Sequence, residues 1–521
     1  MIKDGKIWLA NTEDGTNVSL LPGMANRHGL VAGATGTGKT VTLKVMAESF
    51  SEMGVPVFMA DVKGDLASLI AAGEDSADMQ ERIARFGLAE AGFSYQKYPV
   101  TLFDIYGEKG IQLRTTVTEM GPLLLARILE LNELQSDVLS IVFKIADDNQ
   151  LLLVDIKDLK SMLNYVQENA KEFASDYGRI SSATIGAITR ALVALEVAGG
   201  DKFFGEPALN ISDFLSVGEG GKGMINILDS ESLINSGKLY STFLLWLLSE
   251  LFEMLPEVGD LAKPKLVFFF DEALLLFKDT SKALLDKIEQ VVKLVRSKGV
   301  GVYFCTQNPR DIPDGVLSQL GNKVQHGLRA YTPADQKAVR AAAESFRANP
   351  GFNTYETILN LGTGEAVASF LGEDGIPSIC QKVYVLPPKS RFGAISDAER
   401  DASVKGSLLY GKYANAVDPD SAYEFLERRG LQIQKEKEEA AAAAAAAKEA
   451  AAAAKAAEKE AAAREAQKKR AAKSVASTVA GTVGREAGKA VGKNFGVFGK
   501  TVGGNLGASL GRGILSTLFR V

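Results

Sequence analysis

Short apolar runs alternate with longer amphipathic segments along the first 400 residues. Predicted strands lie at 28–33, 55–61, 98–104, 223–229, 265–273, 300–307, 323–330 and 365–371. Runs that are apolar on both faces, such as LVFFF within 265–273, are typical of parallel strands covered by helices on each side. Because helical segments separate most of these strands, the pattern predicts an α/β fold with a parallel sheet.

A helical block interrupts this alternation. From about residue 118 to 217 apolar residues recur at three- and four-residue spacing, as in PLLLARILELNELQSDVLSIVFKIA, which is the period of an amphipathic helix. We therefore predict a helical subdomain inserted into the core. The predicted units are a hairpin segment at 1–27, the core at 28–117 and 218–400, the insertion at 118–217 and a connector at 401–433.

Membrane and secretion signals are weak. The N-terminus has no apolar run of the kind that a signal peptide carries. The most apolar helical stretch, 241–255, contains Glu250 and Glu253 and is too short to span a bilayer, so we expect a buried helix. The two cysteines, Cys305 and Cys380, are far apart and form no metal-binding motif, which fits a cytoplasmic protein.

The chain changes character near its C-terminal end. Residues 434–473 are rich in alanine and mixed charges without an apolar stripe, which predicts a solvated helix. Within 474–521 glycines recur four residues apart, at Gly484, Gly488, Gly492 and Gly496 and again at Gly499, Gly503, Gly507 and Gly511. Small residues at this spacing let helices approach closely. Helix–helix packing, contact with a protein partner or an anionic membrane surface, and a flexible tail all remain open.

Charge is unevenly distributed. Residues 431–521 hold 16 Lys/Arg and 8 Asp/Glu, a balance of +8. The other 430 residues hold 43 and 56, a balance of −13. An acidic body gives no broad basic surface for nucleic acid, although a few basic loops would suffice in a ring-shaped channel.

The segment GATGTGKT matches the P-loop pattern, with a predicted strand before it and a predicted helix after it. In such a loop the backbone N–H groups and the helix N-terminus surround phosphate oxygens. We expect Lys39 to reach the β- and γ-phosphates of ATP, and the hydroxyl of Thr40 to bind Mg²⁺. The candidate nucleotide-binding residues are Gly33, Ala34, Thr35, Gly36, Thr37, Gly38, Lys39 and Thr40.

Two acids end the LVFFF strand. The carboxyl ends of parallel strands form the edge where ligands bind. Asp271 is therefore a candidate Mg²⁺ ligand, directly or through water, and Glu272 a candidate base for the attacking water. Gln307, at the tip of the next strand, is placed to contact the γ-phosphate or that water. A GTPase is rejected, because NKVQ at 322–325 lacks the acid that guanine recognition needs.

These motifs together resemble the HerA/FtsK superfamily of P-loop motors. The resemblance rests on GATGTGKT, on DVKGDL at 61–66, on FFFDEA and on the block at 295–336, and covers about 20–400. Its closest branch is the bacterial HerA-like family often labelled YjgR. It implies a RecA-like core with the CTQ strand between the P-loop and DEA strands. It also implies a homo-hexameric ring with ATP between subunits, acting on nucleic acid without sequence preference.

The resemblance also assigns residues. Asp61 and Asp65 match acids that face the nucleotide, Glu272 matches the catalytic acid and Gln307 the sensor. The family completes each site with an arginine from the neighbouring subunit, which stabilises charge on the γ-phosphate. Arg329 is our candidate, with Arg310 and Arg296 as alternatives.

One feature departs from the family. HerA proteins carry a β-barrel before the P-loop, which docks on a nuclease partner, whereas here the P-loop begins at Gly33. We expect no such barrel, which leaves a HerA-type nuclease partner in doubt. The sequence therefore predicts a cytoplasmic hexameric ATPase that translocates DNA. The alternative is an ATP-driven protein remodeller or docking platform, which the acidic body favours.

Overall fold

The computed structural model describes residues 1–235, 237–259, 261–278 and 282–472. Within these ranges thirteen strands form one sheet. The strands are β1 (Ile2–Lys3), β2 (Lys6–Asn11), β3 (Asn17–Leu20), β4 (Gly29–Ala32), β5 (Val57–Asp61), β6 (Val100–Asp104), β7 (Ile111–Gln112), β8 (Ile225–Asp229), β9 (Leu266–Phe270), β10 (Val300–Thr306), β11 (Asn322–His326), β12 (Glu365–Ser369) and β13 (Gln381–Val385).

The sheet is parallel in its centre and antiparallel toward one edge. Its order is β1-β2-β13-β12-β11-β4-β10-β9-β5-β8-β6-β7, with β3 paired to β2. From β11 to β7 every neighbouring pair is parallel, which confirms the predicted parallel core. The predicted position of β10 between the P-loop strand β4 and β9 is also confirmed.

The strand predicted at 365–371 differs in direction, because β12 is antiparallel to β11. Two helices, rather than one, separate the two strands and return the chain to the edge that it left. Strand β13 then pairs antiparallel with both β12 and β2, so the N-terminal strands extend the same sheet.

Seventeen helices lie in the part of the chain that the structure describes. They are α1 (Lys39–Glu52), α2 (Ala77–Arg85), α3 (Val117–Ile128), α4 (Glu133–Asp148), α5 (Ile156–Glu168), α6 (Ala170–Tyr177), α7 (Ser182–Leu195), α8 (Asp201–Phe203), α9 (Gly237–Met254), α10 (Leu274–Phe277), α11 (Lys282–Val295), α12 (Asp314–Leu317), α13 (Pro333–Glu344), α14 (Thr354–Asn360), α15 (Asp397–Gly406), α16 (Tyr410–Tyr413) and α17 (Ala422–Ala472). Short 3₁₀ turns connect several of them.

Aromatic side chains pack helices onto both faces of the sheet. On one face Phe50 of α1 contacts Phe269 and Tyr303, with ring centroids 6.2 and 6.3 Å away. On the other face Phe243 of α9 lies 6.5 Å from Phe58 of β5. Most of α9 is buried, as predicted for 241–255. The core is therefore a helix–sheet–helix sandwich.

The chain divides into two compact units, residues 1–147 with 151–423 and residues 148–150 with 424–521. Helices α3 to α8 fill most of the block predicted at 118–217, and apart from Asp148 at the end of α4 they belong to the same unit as the sheet. Helix α17 begins at Ala422, ahead of the alanine-rich run predicted from 434. The glycine-rich tail at 474–521 lies outside the described residues.

Among the described residues, one helical run, Ser182–Phe203, has the length and composition of a membrane span, and a third of it is buried. Buried helices of globular cores meet the same criteria, so nothing further about membrane insertion follows from this helical run.

Candidate functional site

The loop after β4 arches from Gly33 to Gly38, and α1 begins at Lys39. Gly36 (φ +78°) and Gly38 (φ +112°) have left-handed backbone, which side chains with a Cβ rarely adopt. At Gly33 a Cβ would lie 2.5 Å from the Cβ of His326. The glycines of the motif are therefore required by backbone conformation and by close packing. Thr35 and Gly36 are exposed at the crest of the loop.

Lys39 places its ammonium inside this loop. Its Nζ donates hydrogen bonds to the carbonyl oxygens of Gly33 at 2.7 Å and Ala34 at 3.1 Å. Burial lowers the pKa of Lys39, while the nearby carboxylates of Glu272 and Asp271 act in the opposite direction. The hydroxyl of Thr37 donates to the Ala34 carbonyl at 2.7 Å, which braces the arch. The loop thus surrounds a positive centre at a helix N-terminus, which is an anion-binding arrangement.

His326, at the end of β11, packs against the P-loop and forms hydrogen bonds on both of its ring nitrogens. Its Nδ1 lies 2.9 Å from the carbonyl oxygen of Glu365, and its Nε2 lies 2.8 Å from the hydroxyl of Thr42. A carbonyl can only accept, so Nδ1 carries the proton and Thr42 donates to Nε2. Burial lowers the pKa of His326 to about 4, which keeps the ring neutral. Because β11 pairs with β4, the strand that leads into α1, His326 meets a residue 284 positions away in the sequence. The sequence analysis therefore assigned His326 no role.

The two acids after β9 have different environments. The Asp271 side chain is buried against the Cys305 thiol of β10, and burial raises its pKa against the opposing charge of Lys63. Glu272 has a left-handed backbone (φ +47°), which is uncommon for a residue with a side chain. Its carboxylate lies 3.3 Å from the Nε2 of Gln307. The predicted base and the predicted sensor are therefore in contact.

Lys63 is a residue of this site that the sequence did not reveal. Its Nζ lies 2.5 Å from Oε1 of Glu272, and only 13% of the Glu272 side chain is exposed. Burial acts to raise the pKa of Glu272, but the hydrogen bond and charge of Lys63 outweigh it, so that this pKa lies below its usual value. Lys63 thus keeps Glu272 ionised and fixes its direction. The only signal was its place in DVKG, a motif that we interpreted through its acids.

Asp61 organises the loop that carries Lys63. Its carboxylate accepts hydrogen bonds from the backbone N–H groups of four residues. These donors are Lys63, Gly64, Leu66 and Ala67. Burial, together with the charge of Asp271, raises the pKa of Asp61 to about 7. Because these bonds occupy its oxygens, the expected contact between Asp61 and the nucleotide stays a prediction.

Asp65 lies outside this cluster of acids. It precedes the 3₁₀ turn Leu66–Ile70, and its negative charge acts on the buried ammonium of Lys44 in α1. Lys44 donates to Ser68 Oγ at 2.7 Å, so this lysine ties α1 to the Asp61 loop. Burial lowers the pKa of Lys44 to about 8. A direct role of Asp65 at the nucleotide also stays a prediction.

Two of the candidate arginines, Arg329 and Arg310, follow the carboxyl ends of strands, whereas Arg296 precedes β10 and lies at the opposite edge of the sheet. Arg329 lies three residues beyond β11, is exposed, and donates to the carbonyl oxygen of Leu359 at 3.1 Å. Arg310 is exposed after β10, and Arg296 follows α11. Within a single chain Arg329 is directed at α14 rather than at Glu272, so its action in a neighbouring site stays a prediction.

A magnesium ion fits the residues at this edge. No group of three His, Cys, Asp or Glu side chains in the described ranges could hold a metal by itself. Thr40 lies in the first turn of α1, and Asp271 directly follows β9 at the same edge. Mg²⁺ is usually held by one or two carboxylates, water and substrate phosphates, so a hydroxyl and a carboxylate are the donors expected. Asp271 and Thr40 would hold the ion.

A P-loop between parallel strands, with an acidic strand end two strands away, defines a P-loop NTPase with a RecA-like core. The chain belongs to the family described as helicase HerA-like C-terminal, whose model matches residues 6–508. The superfamily resemblance seen in the sequence is thereby confirmed.

Individual relatives are distant. The chain is 23% identical over 377 residues to the DNA double-strand break repair helicase HerA of Sulfurisphaera tokodaii, covering 70% of this chain and 66% of that protein. It is 28% identical over 141 residues to a probable helicase of Methanocaldococcus jannaschii, covering 27% of this chain and 26% of that protein. The bacterial conjugative coupling protein TrwB is similar in structure, with a TM-score of 0.49 at 17% identity, covering 73% and 89% of the two chains. The chain therefore spans less than two thirds of the length of the curated relatives.

Proposed function

We propose that this protein hydrolyses ATP at the P-loop with Glu272 as the base. The observation that carries the proposal is the position of the Glu272 carboxylate, held between Lys63 Nζ at 2.5 Å and Gln307 Nε2 at 3.3 Å. An ionised carboxylate at this edge of the sheet, beside a buried ammonium on a P-loop, is the arrangement that orients water toward a γ-phosphate.

Each residue then has a distinct task. Lys39 and the backbone N–H groups of residues 36–40 bind the phosphates and hold them in position. Glu272 orients the attacking water and accepts its proton, and the amide of Gln307 fixes Glu272 on one side. When bound, Mg²⁺ would neutralise phosphate charge, held by Thr40 and Asp271.

We further propose that the chain works as a cytoplasmic homo-hexameric motor on nucleic acid. Membership of the HerA-like family supports this, and one relative is named as a DNA repair helicase. In a ring, an arginine of one subunit, for which Arg329 is the candidate, would complete the site of the next. Binding to DNA would rest on phosphate contacts and would not depend on sequence.

A protein remodeller is the second candidate function. Residues 1–430 carry a net charge of −13, which disfavours extended contact with a polyanion. In this alternative, ATP hydrolysis would drive changes in a protein partner, recruited through the C-terminal region.

Substitutions at the P-loop and at the base test the chemistry. Lys39→Ala should abolish nucleotide binding, because it removes the positive centre of the loop. Glu272→Gln should retain binding and lower turnover by about 100-fold or more, because it removes only the base. Lys171→Ala, an exposed lysine of α6, is the matched control and should behave as wild type. Near wild-type turnover in Glu272→Gln would show that another group is the base.

DNA dependence separates the two candidate functions. A motor on DNA should hydrolyse ATP faster with single- or double-stranded DNA at low salt, and this stimulation should decline steeply as salt rises. Two DNA sequences of equal length and different composition serve as the control for sequence preference. Rates that DNA leaves unchanged at low salt would favour the protein remodeller.

A further inference from the structure

A second cleft adjoins the P-loop on the side away from Glu272. It lies between α2 and the residues that begin β12, and its volume is about 330 Å³. Arg82 and Arg85 of α2 line one wall, and Gly362, Thr363 and Tyr384 line the other. We call it the α2 cleft. Its volume is at the lower end of the range for small-molecule sites, which begins near 300 Å³.

One residue separates this cleft from the loop that surrounds the phosphates. The N–H of Gly364 donates to the carbonyl oxygen of Thr37 at 3.0 Å. A Cβ at Gly38 would lie 3.3 Å from the Cα of Gly364, and a Cβ at Gly364 would lie 3.0 Å from Nη1 of Arg82. Gly364 is therefore packed between the P-loop and the Arg82 guanidinium, with no room for a side chain.

The guanidinium of Arg82 forms no hydrogen bond or ion pair within the described part of the chain, although the residue is half-buried. A guanidinium has five N–H donors in a fork that matches phosphate and carboxylate oxygens. A partly desolvated cation without a partner, one residue from a phosphate-binding loop, is suited to the anionic part of a ligand.

The outer part of the cleft offers a flat stacking surface. The Arg85 guanidinium carbon lies 4.0 Å from the centre of the Tyr384 ring and 5.6 Å from the ring of Phe86. Nucleobases stack on aromatic rings and on guanidinium planes. The exposed carboxylate of Glu81 lies at the same cleft, where it could accept hydrogen bonds from sugar hydroxyls.

The order of the strands gives the direction of the ligand. On one side of the P-loop strand β4 lie β10 and β9, with Gln307 and Glu272 at their ends. On the other side lie β11 and β12. If the γ-phosphate faces Glu272, the opposite end of the nucleotide leaves the loop toward β12, where the α2 cleft lies.

We propose that the α2 cleft binds the nucleoside end of the nucleotide. Arg82 contacts oxygens at the junction of the phosphate chain and the sugar, and the base stacks on the Arg85–Tyr384 pair. This inference rests on the proposed function, because it takes the P-loop as the phosphate site.

Inorganic tripolyphosphate, which has the phosphates of ATP but no nucleoside, isolates the contribution of the cleft. Affinities for ATP and for tripolyphosphate are measured by isothermal titration calorimetry on the full chain carrying Glu272→Gln, which prevents hydrolysis. Into this background we would introduce Arg85→Ala with Tyr384→Leu, and as a matched control Arg179→Ala, an exposed arginine before α7.

Arg85→Ala with Tyr384→Leu should weaken ATP binding by about tenfold and leave tripolyphosphate binding within about twofold, since only ATP has a base to stack. The retained tripolyphosphate affinity also shows that the variant is folded. Arg179→Ala should change neither affinity.

Unchanged ATP affinity in the cleft variant would overturn the inference and leave the proposed function intact. Equal weakening of both ligands would also overturn it, because the substitutions would then act through the P-loop rather than on the nucleoside. If the starting chain bound neither ligand, the proposed function would fail together with this inference.

Discussion

At the scale of single residues, Lys63 decides how the Glu272 carboxylate is used. Gln307 approaches that carboxylate at 3.3 Å and carries no charge, whereas Lys63 lies at 2.5 Å and brings a full positive charge. The Glu272 carboxylate is ionised in both contacts, but only the contact with Lys63 joins two opposite charges, and it is the shorter of the two. The direction and the ionisation of Glu272 therefore depend more on Lys63 than on Gln307, which the sequence predicted to contact the γ-phosphate or the attacking water.

Replacement of Lys63 should slow turnover without abolishing binding. Lys63→Met should lower kcat by about tenfold and change the KM for ATP by less than about threefold, since Lys63 acts through Glu272. Lys63→Arg should recover part of the rate, because it keeps the charge. Lys171→Met serves as the control for loss of a lysine. An unchanged kcat in Lys63→Met, or a loss of binding equal to the loss of rate, would contradict this role.

His28 should make the fold sensitive to acid. It is buried, its Nδ1 accepts the N–H of Val302 at 3.0 Å, and burial lowers its pKa to about 4. An unfolded histidine has a pKa of about 6.5, so between pH 6.5 and pH 4 the unfolded chain takes up a proton that the folded chain does not. The buried neutral state of His28 therefore leaves the free energy of unfolding unchanged at pH 7 and lowers it by about 2 kcal/mol at pH 5.

Asparagine at this position should remove that penalty. It can accept the same N–H, and it tolerates the positive φ of +57° found at His28. The urea midpoint should therefore fall further between pH 7 and pH 5 in the wild type than in His28→Asn. All other groups titrate in both proteins, so their effects cancel. Equal losses would show that His28 is protonated in the fold or exposed before unfolding.

The sequence revealed those site residues that belong to short local motifs, and it missed those whose contacts are with residues far away in the sequence. The P-loop and the DE pair are local patterns, and each indicates its chemical role within a segment of at most eight residues. The contact of Lys63 with Glu272 spans 209 positions, and that of His326 with Thr42 spans 284. Strand order brings these pairs together, and no local pattern encodes it.

At the scale of elements, the apolar runs predicted the strands because burial on both faces demands such runs. The direction of β12 could not be predicted in this way, since an apolar run reads the same in either direction. Short strands at the two ends of the sheet were equally hard to detect, because β1 and β7 have two residues each. The pattern was thus informative for buried central strands and weak for edges.

Helix α17 illustrates a helix that forms by propensity rather than by packing. From residue 440 to 464 nearly all its side chains are exposed, whereas most of α9 is buried against the sheet. Alanine-rich helices are marginal in water and open locally at little cost, while buried helices open only with the core.

Hydrogen exchange followed by mass spectrometry should separate these two helices. Peptides from 440–464 should exchange their amide hydrogens orders of magnitude faster than peptides from 240–252 under native conditions. Both segments are helical, so the comparison controls for secondary structure. Equal protection would mean that a partner surface covers α17 in solution.

At the scale of the whole molecule, no arginine among the described residues forms a hydrogen bond or ion pair with Glu272, which marks the γ-phosphate end of the site. Arg329 bonds to a carbonyl oxygen of α14, at 3.1 Å, and its exposure makes it available to a neighbouring copy. A head-to-tail contact between identical chains generates a ring when the rotation closes. The proposed motor thus depends on sites that two chains build together.

Mixing two inactive variants tests this dependence. Arg329→Ala retains Glu272, and Glu272→Gln retains Arg329, so one kind of interface in a mixed ring has both residues. If the sites act independently, an equal mixture should recover about a quarter of the wild-type ATPase rate, whereas each variant alone should be nearly inactive.

The control mixes Glu272→Gln with Lys39→Ala. Both variants keep Arg329, and Lys39 and Glu272 act from the same chain. In this mixture no chain has both Lys39 and Glu272, so no ATPase activity should return. The same experiment with Arg310→Ala or Arg296→Ala decides between the candidate arginines, and the absence of rescue with all three would mean that each chain completes its own site.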